Sequence, residues 1–88
     1  MFSELSLDII SNTTNDLLAQ DRAEEAVEYI ARMVVGTIKA TGCSAEQAYD
    51  AIDTHLTDNI DENHGYDIQD FLGFIVEELN ELGVQNLH

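Results

Sequence analysis

The sequence predicts an all-α fold, a compact bundle of about four antiparallel helices built by residues 1–88 as a single domain. Three observations carry this. Proline is absent. Apolar residues recur at helical spacing instead of alternating, and the glycines fall mostly where those apolar stripes stop. Hydrophobic residues make up 44% of the chain, too large a share for a disordered acidic tail. Short connections between successive helices favour antiparallel neighbours. At 88 residues the surface-to-volume ratio leaves the fold only marginally stable alone, so homodimerisation is an open option.

Helix 1 runs from about Ser3 to Leu18, with Leu7, Ile10, Thr14, Leu17 and Leu18 in one stripe. Its weakest stretch is Ser11-Asn12-Thr13-Thr14-Asn15, where short polar side chains compete for the backbone and a break is expected if anywhere. Helix 2 opens at Asp21-Arg22-Ala23-Glu24, a capping-box-like start with an acidic first turn, and ends near Thr41-Gly42. Ala23, Ala26, Val27, Ile30, Val34 and Ile38 share its inner face, and Glu28 can pair with Arg32 one turn on. Helix 3 begins at Ser44, whose hydroxyl caps while Gln47 reaches back, and continues to about Asp61 with Ala48, Tyr49, Ile52 and Leu56 inward. His64-Gly65 marks the turn. Asp67 caps helix 4, which turns Ile68, Phe71, Leu72, Ile75, Leu79 and Leu82 to the core, and Gly83 ends it with Val84 closing a hydrophobic contact.

Composition narrows the function. Met1-Phe2-Ser3-Glu4 has no basic leader character, and no apolar run approaches the roughly 20 residues needed to span a bilayer, so a cytoplasmic protein is expected. Cys43 is the sole cysteine, which excludes an intrachain disulfide and a multi-cysteine zinc site and suits a reducing compartment. A cysteine near an interhelix turn is expected to act as a small space-filler.

Catalytic and metal chemistry find little support. The segment Asp61-Glu62-Asn63-His64-Gly65-Tyr66-Asp67-Ile68 invites comparison with a calcium loop, but the glycine falls one place early and Leu72 stands where the bidentate glutamate belongs. His55 and His64 with Asp53, Asp58 and Asp61 lack the spacing of a zinc motif, and His55 reads as a boundary histidine with its hydrogen bonds satisfied. No nucleophile elbow, phosphate-cradling glycine loop or His-Cys pairing occurs. The chain is expected not to be an enzyme, with no catalytic residue, no cofactor and no metal.

The charge is the informative feature. The net charge is -15, against a magnitude of about 2 to 8 that keeps a small domain soluble. Residues 1–40 hold seven acids and all three bases, Arg22, Arg32 and Lys39; from Thr41 onward there are eleven acids and no lysine or arginine. Glu46, Asp50 and Asp53 form a row on helix 3, and Asp70, Glu77 and Glu81 a second on helix 4. Like charges one turn apart oppose the helix by about 0.2 to 0.5 kcal/mol each, so helix stability does not explain them. At a rise of about 1.5 Å per residue, three carboxylates span about 10 Å. A DNA strand carries about three phosphates over that length.

These features point to a non-enzymatic acidic inhibitor whose partner is a protein with a basic, nucleic-acid-binding surface; direct nucleic-acid and membrane binding are excluded by charge. In size, charge and helicity the chain resembles the DNA-mimic proteins that phages direct against restriction or CRISPR systems. Glu46, Asp50, Asp53, Asp70, Phe74, Glu77 and Glu81 are the candidate partner-binding residues. Phe74 is expected to pack at the bundle's edge, with Phe74, Tyr29 and Tyr66 as candidate interface aromatics. The alternative is a helical adaptor or regulatory subunit, homodimeric in one version, that binds through an apolar groove while its acids serve solubility or a halophilic habit.

Overall fold

Four helices in chain order, α1 (Glu4–Ala19), α2 (Ala23–Thr41), α3 (Ala45–Asn59) and α4 (Ile68–Glu81), make up the protein in the computed structural model, which describes residues 4–60, 65 and 67–84. Among the described residues there is no strand, and no helix is long and apolar enough to cross a membrane. The radius of gyration is 12.0 Å, matching the roughly 12 Å that size scaling gives a compact chain of this length.

The hub is α2. It packs against each of the other helices, whereas α4 meets α1 and α3 only marginally and α1 contacts α3 directly. A helix clasped on three sides needs a wider buried face than one stripe supplies. Accordingly Ala26, Val27, Ile30, Ala31 and Val34 are all buried, with Ala31 added to the expected set and Ala23 and Ile38 half-buried at its margins. Ile10, Leu18, Ile52, Leu56, Phe71, Ile75 and Leu79 fill the space around them. Each such side chain contributes about 1.5–3 kcal/mol by leaving water.

Several ends follow the sequence. Ser44 accepts the Gln47 amide proton at 3.1 Å while the Gln47 side chain accepts from the Ser44 amide at 3.2 Å, a complete capping box. Asp67 caps α4 by accepting from the Gln69 amide at 2.8 Å. Gly42 and Gly83 take left-handed backbone angles, φ 72° and 87°, to stop α2 and α4. Val84 N–H reaches back to the Leu79 carbonyl at 2.9 Å and its side chain packs on the core, the Schellman closure expected.

Other expectations change. The polar middle of α1 does not break, because Thr14 is fully buried and returns its hydroxyl to the Ile10 carbonyl at 2.7 Å within a continuous helix. Ser11 is also buried. Asn15 donates to the Asn59 carbonyl at 3.1 Å, serving the last turn of α3 from outside. Asp21 does not cap α2: the N-cap is Arg22, with no side-chain cap, and Asp21 has φ 60°. The cause is the short link. Asp21 N–H bonds the Leu18 carbonyl and Arg22 N–H the Leu17 carbonyl, so these residues close α1 as a Schellman motif before α2 begins. Helix α3 ends at Asn59, short of Asp61, and Leu82 is 51% exposed instead of turned to the core because it follows the last helical residue of α4. Asp61, Glu62, Asn63, His64 and Tyr66, and with them most of the calcium-loop comparison, lie outside the described residues.

Candidate functional site: an acid-rimmed groove between α2 and α4

Helix α4 lies on α2 with Phe71, Leu72, Ile75 and Leu79 buried. That rotation leaves Phe74 outside. The residue is 56% exposed, so the expected packing at the bundle's edge is not what the structure gives: among the described residues α4 has α2 as its one extensive neighbour, and no second helix covers this flank. Phe74 instead lines a groove of about 300 Å³ together with Ala23, Glu24 and Val27 of α2 and Glu77, Glu78 and Glu81 of α4.

The acids are placed by ordinary helix geometry. Glu77 and Glu81 are one turn apart, Glu78 follows Phe74 by one turn, and Glu24 stands in the first turn of α2, where a carboxylate favours the helix dipole. Glu78 is perturbed by its surroundings. Its pKa is raised above the ordinary 4.5 by desolvation and then by the Glu81 and Glu28 carboxylates, with a hydrogen bond to Glu81 adding to the rise and Arg32 opposing it. The expected Glu28–Arg32 ion pair is not among those within 4.0 Å; the charge of Arg32 is felt across the α2–α4 contact by Glu78. Arg22 pairs with Glu25 at the start of α2.

The helix 3 row is a separate surface. Glu46 and Asp50 are exposed, while Asp53 is half-buried and accepts the Thr57 hydroxyl at 3.2 Å. Behind the row, the buried Tyr49 hydroxyl donates to the Leu72 carbonyl of α4 at 3.5 Å. Burial, then Asp53, then Asp50 push the Tyr49 pKa from 10.0 up to about 12. These carboxylates therefore lie within electrostatic reach of the α3–α4 boundary. Asp50 also lines a more open depression of about 560 Å³ with Leu7 of α1 and Gln47, Ala51, Thr54, His55 and Asp58 of α3. His55 is not the satisfied boundary residue expected. Its Nε2 is buried, makes no hydrogen bond, and lies 3.4 Å from Asp8 Oδ1, an ion pair when the ring is protonated.

Of the seven sequence candidates, Phe74, Glu77 and Glu81 are gathered in the α2–α4 groove, Glu46, Asp50 and Asp53 share the α3 surface, and Asp70 is exposed on the first turn of α4. Sequence reasoning missed Glu24 and Glu78. Glu78 was adjacent to a candidate in sequence, but only the packing of α4 on α2 brings in Glu24. Among the described residues no group of three or more His, Cys, Asp or Glu side chains is arranged to hold a metal ion. Cys43 is half-buried against the core, as a space-filler would be. The fold and its surface thus define a small all-α domain with an acidic groove lined by an aromatic residue. No protein family, curated protein or solved structure matches the chain.

Proposed function

We propose that this chain is a non-enzymatic acidic binding protein, acting in the cytoplasm as an inhibitor whose carboxylates occupy the basic surface of a nucleic-acid-binding protein in place of phosphates. One observation carries the reading: α3 and α4 present exposed acids, Glu46, Asp50, Asp70, Glu77 and Glu81, with no lysine or arginine on either helix to neutralise them. A surface of that kind draws a basic partner by long-range attraction and repels nucleic acid itself. The type of protein this suggests is the phage antagonist of restriction or CRISPR defence.

A second reading, an adaptor or regulatory subunit that binds through an apolar groove, draws support from the exposed Phe74. Salt separates the two. Electrostatic mimicry weakens steeply as ionic strength rises and the Debye length shrinks from about 30 Å to about 8 Å, whereas groove binding persists. The test is low-salt capture of partners from host lysate by the wild type and by a Glu46→Gln, Asp50→Asn, Asp53→Asn variant, with elution by DNA. Recovery of a nucleic-acid-binding protein that the variant loses and DNA displaces is the expected result. A partner held equally by both proteins and indifferent to DNA overturns mimicry in favour of the adaptor.

A further inference from the structure

We infer that the groove between α2 and α4 seats a basic amphipathic helix of the partner, with one or two apolar side chains on Phe74 and Val27 and lysines or arginines toward the four glutamates of the rim. This deepens the function proposed above and rests on its premise that the partner is basic. The groove differs from an ordinary solvated acidic face. Phe74, 56% exposed, lines it with Ala23, Val27 and four glutamates, and one of these, Glu78, has its pKa raised by desolvation and then by the Glu81 and Glu28 carboxylates. Exposed apolar surface rimmed by charge marks an interaction site more often than a lone surface hydrophobe does.

Dimensions and charge select the occupant. The groove's roughly 300 Å³ accepts side chains but not a whole helix, so the partner lies across its mouth and inserts residues from one face. Phe74 to Glu81 covers about 10 Å along α4, about two helical turns, which is the reach of apolar anchors at i, i+3 or i+4, and i+7. Glu24 from α2 allows cations on both flanks of that apolar stripe to be matched. A second copy of this chain is disfavoured as occupant, since each copy carries a net charge of -15 and brings three bases in all.

The test uses the full chain and a synthetic helical peptide of about 15 residues, long enough to begin holding helix alone. It carries leucines on one face and arginines on both flanks. Two control peptides replace the leucines by serine or the arginines by glutamine. Binding is followed by amide chemical-shift perturbation and by titration against wild type, Phe74→Ala, and the Glu46→Gln, Asp50→Asn, Asp53→Asn variant. Expected are shifts at Val27 and Phe74, weak binding by both controls, about a tenfold loss in Phe74→Ala, and little change in the triple variant. Because Phe74 is exposed, Phe74→Ala should keep the wild-type circular dichroism. Equal binding by the serine control, shifts confined to α3, undiminished binding by Phe74→Ala, or self-association that Phe74→Ala abolishes each overturns the inference. DNA-displaceable capture that persists in Phe74→Ala but fails in the triple variant refutes the groove and leaves the proposed function standing.

Discussion

Tyr49 ties the stability of this fold to alkaline pH. Its hydroxyl is buried between α3 and α4, and burial, Asp53 and Asp50 raise its pKa from 10.0 to about 12. In the unfolded chain the phenol titrates near its ordinary value of about 10. Between those values the folded protein keeps a proton that the unfolded chain has lost. The associated stability is therefore fully present below about pH 10 and is lost as pH rises through about 12. Two pH units at about 1.36 kcal/mol each make this about 3 kcal/mol, a large fraction of the 5–15 kcal/mol that holds a typical protein together. The perturbation is Tyr49→Phe. At neutral pH it removes one long hydrogen bond to the Leu72 carbonyl, 3.5 Å, and should cost under about 1 kcal/mol. Urea unfolding followed by circular dichroism from about pH 8 to about pH 12 should show the wild type losing about 2 kcal/mol more than the variant. Contributions common to the two proteins drop out of the difference. Parallel loss of stability in wild type and Tyr49→Phe would refute the reasoning, because it would mean that the fold does not hold this proton.

Three further outcomes are expected. Ser44→Ala removes the α3 capping box and should destabilise by about 1 kcal/mol, a drop in Tm of roughly 5 °C by thermal melting. Asp21→Gly relieves a left-handed residue at the α1–α2 junction and should raise stability by about 0.5–1 kcal/mol in urea titration, whereas a loss would show that the aspartate side chain outweighs its backbone strain. For Glu78, a folded pKa above 4.5 means that the fold gains stability as pH falls through that raised value and loses it as pH rises back. Glu78→Gln should therefore stabilise at neutral pH and flatten the acid side of the stability profile; an unchanged profile would deny that desolvation and the neighbouring carboxylates perturb Glu78.

The helix termini that rest on local chemistry were legible because the signals lie within a few residues of one another. Ser44 with Gln47, Asp67 with Gln69, and Gly83 with Val84 satisfy orphan backbone groups by reach along a single turn. The Asp21 region has the same kind of signal and misled. Two helices meet across residues 20–22, and the residue that resembles a cap for α2 is needed in the left-handed position that ends α1. No glycine marks that stop. Thr14 illustrates another limit, since a polar residue at a core position reads as a weak point until its hydroxyl is seen to bond the Ile10 carbonyl.

The candidate site was legible one helix at a time. Helical spacing revealed Glu77 and Glu81 as a row and placed Phe74 off the main stripe, but the wheel of α4 cannot say whether a neighbour covers that flank. Coverage is decided by the hub arrangement, in which α4 turns its apolar face to α2 and leaves Phe74 exposed. The same packing brings Glu24, distant in sequence, to the groove. The packing leaves its mark on Glu78, whose pKa is raised by desolvation and then by the Glu81 and Glu28 carboxylates, with Arg32 of α2 opposing the rise. A carboxylate desolvated and set beside like charges resists ionisation, so this part of the α2–α4 contact works against the fold at neutral pH. The groove between α2 and α4 thus differs from the row on α3 in joining carboxylates to the exposed Phe74 side chain, a combination that only the packing of the two helices creates.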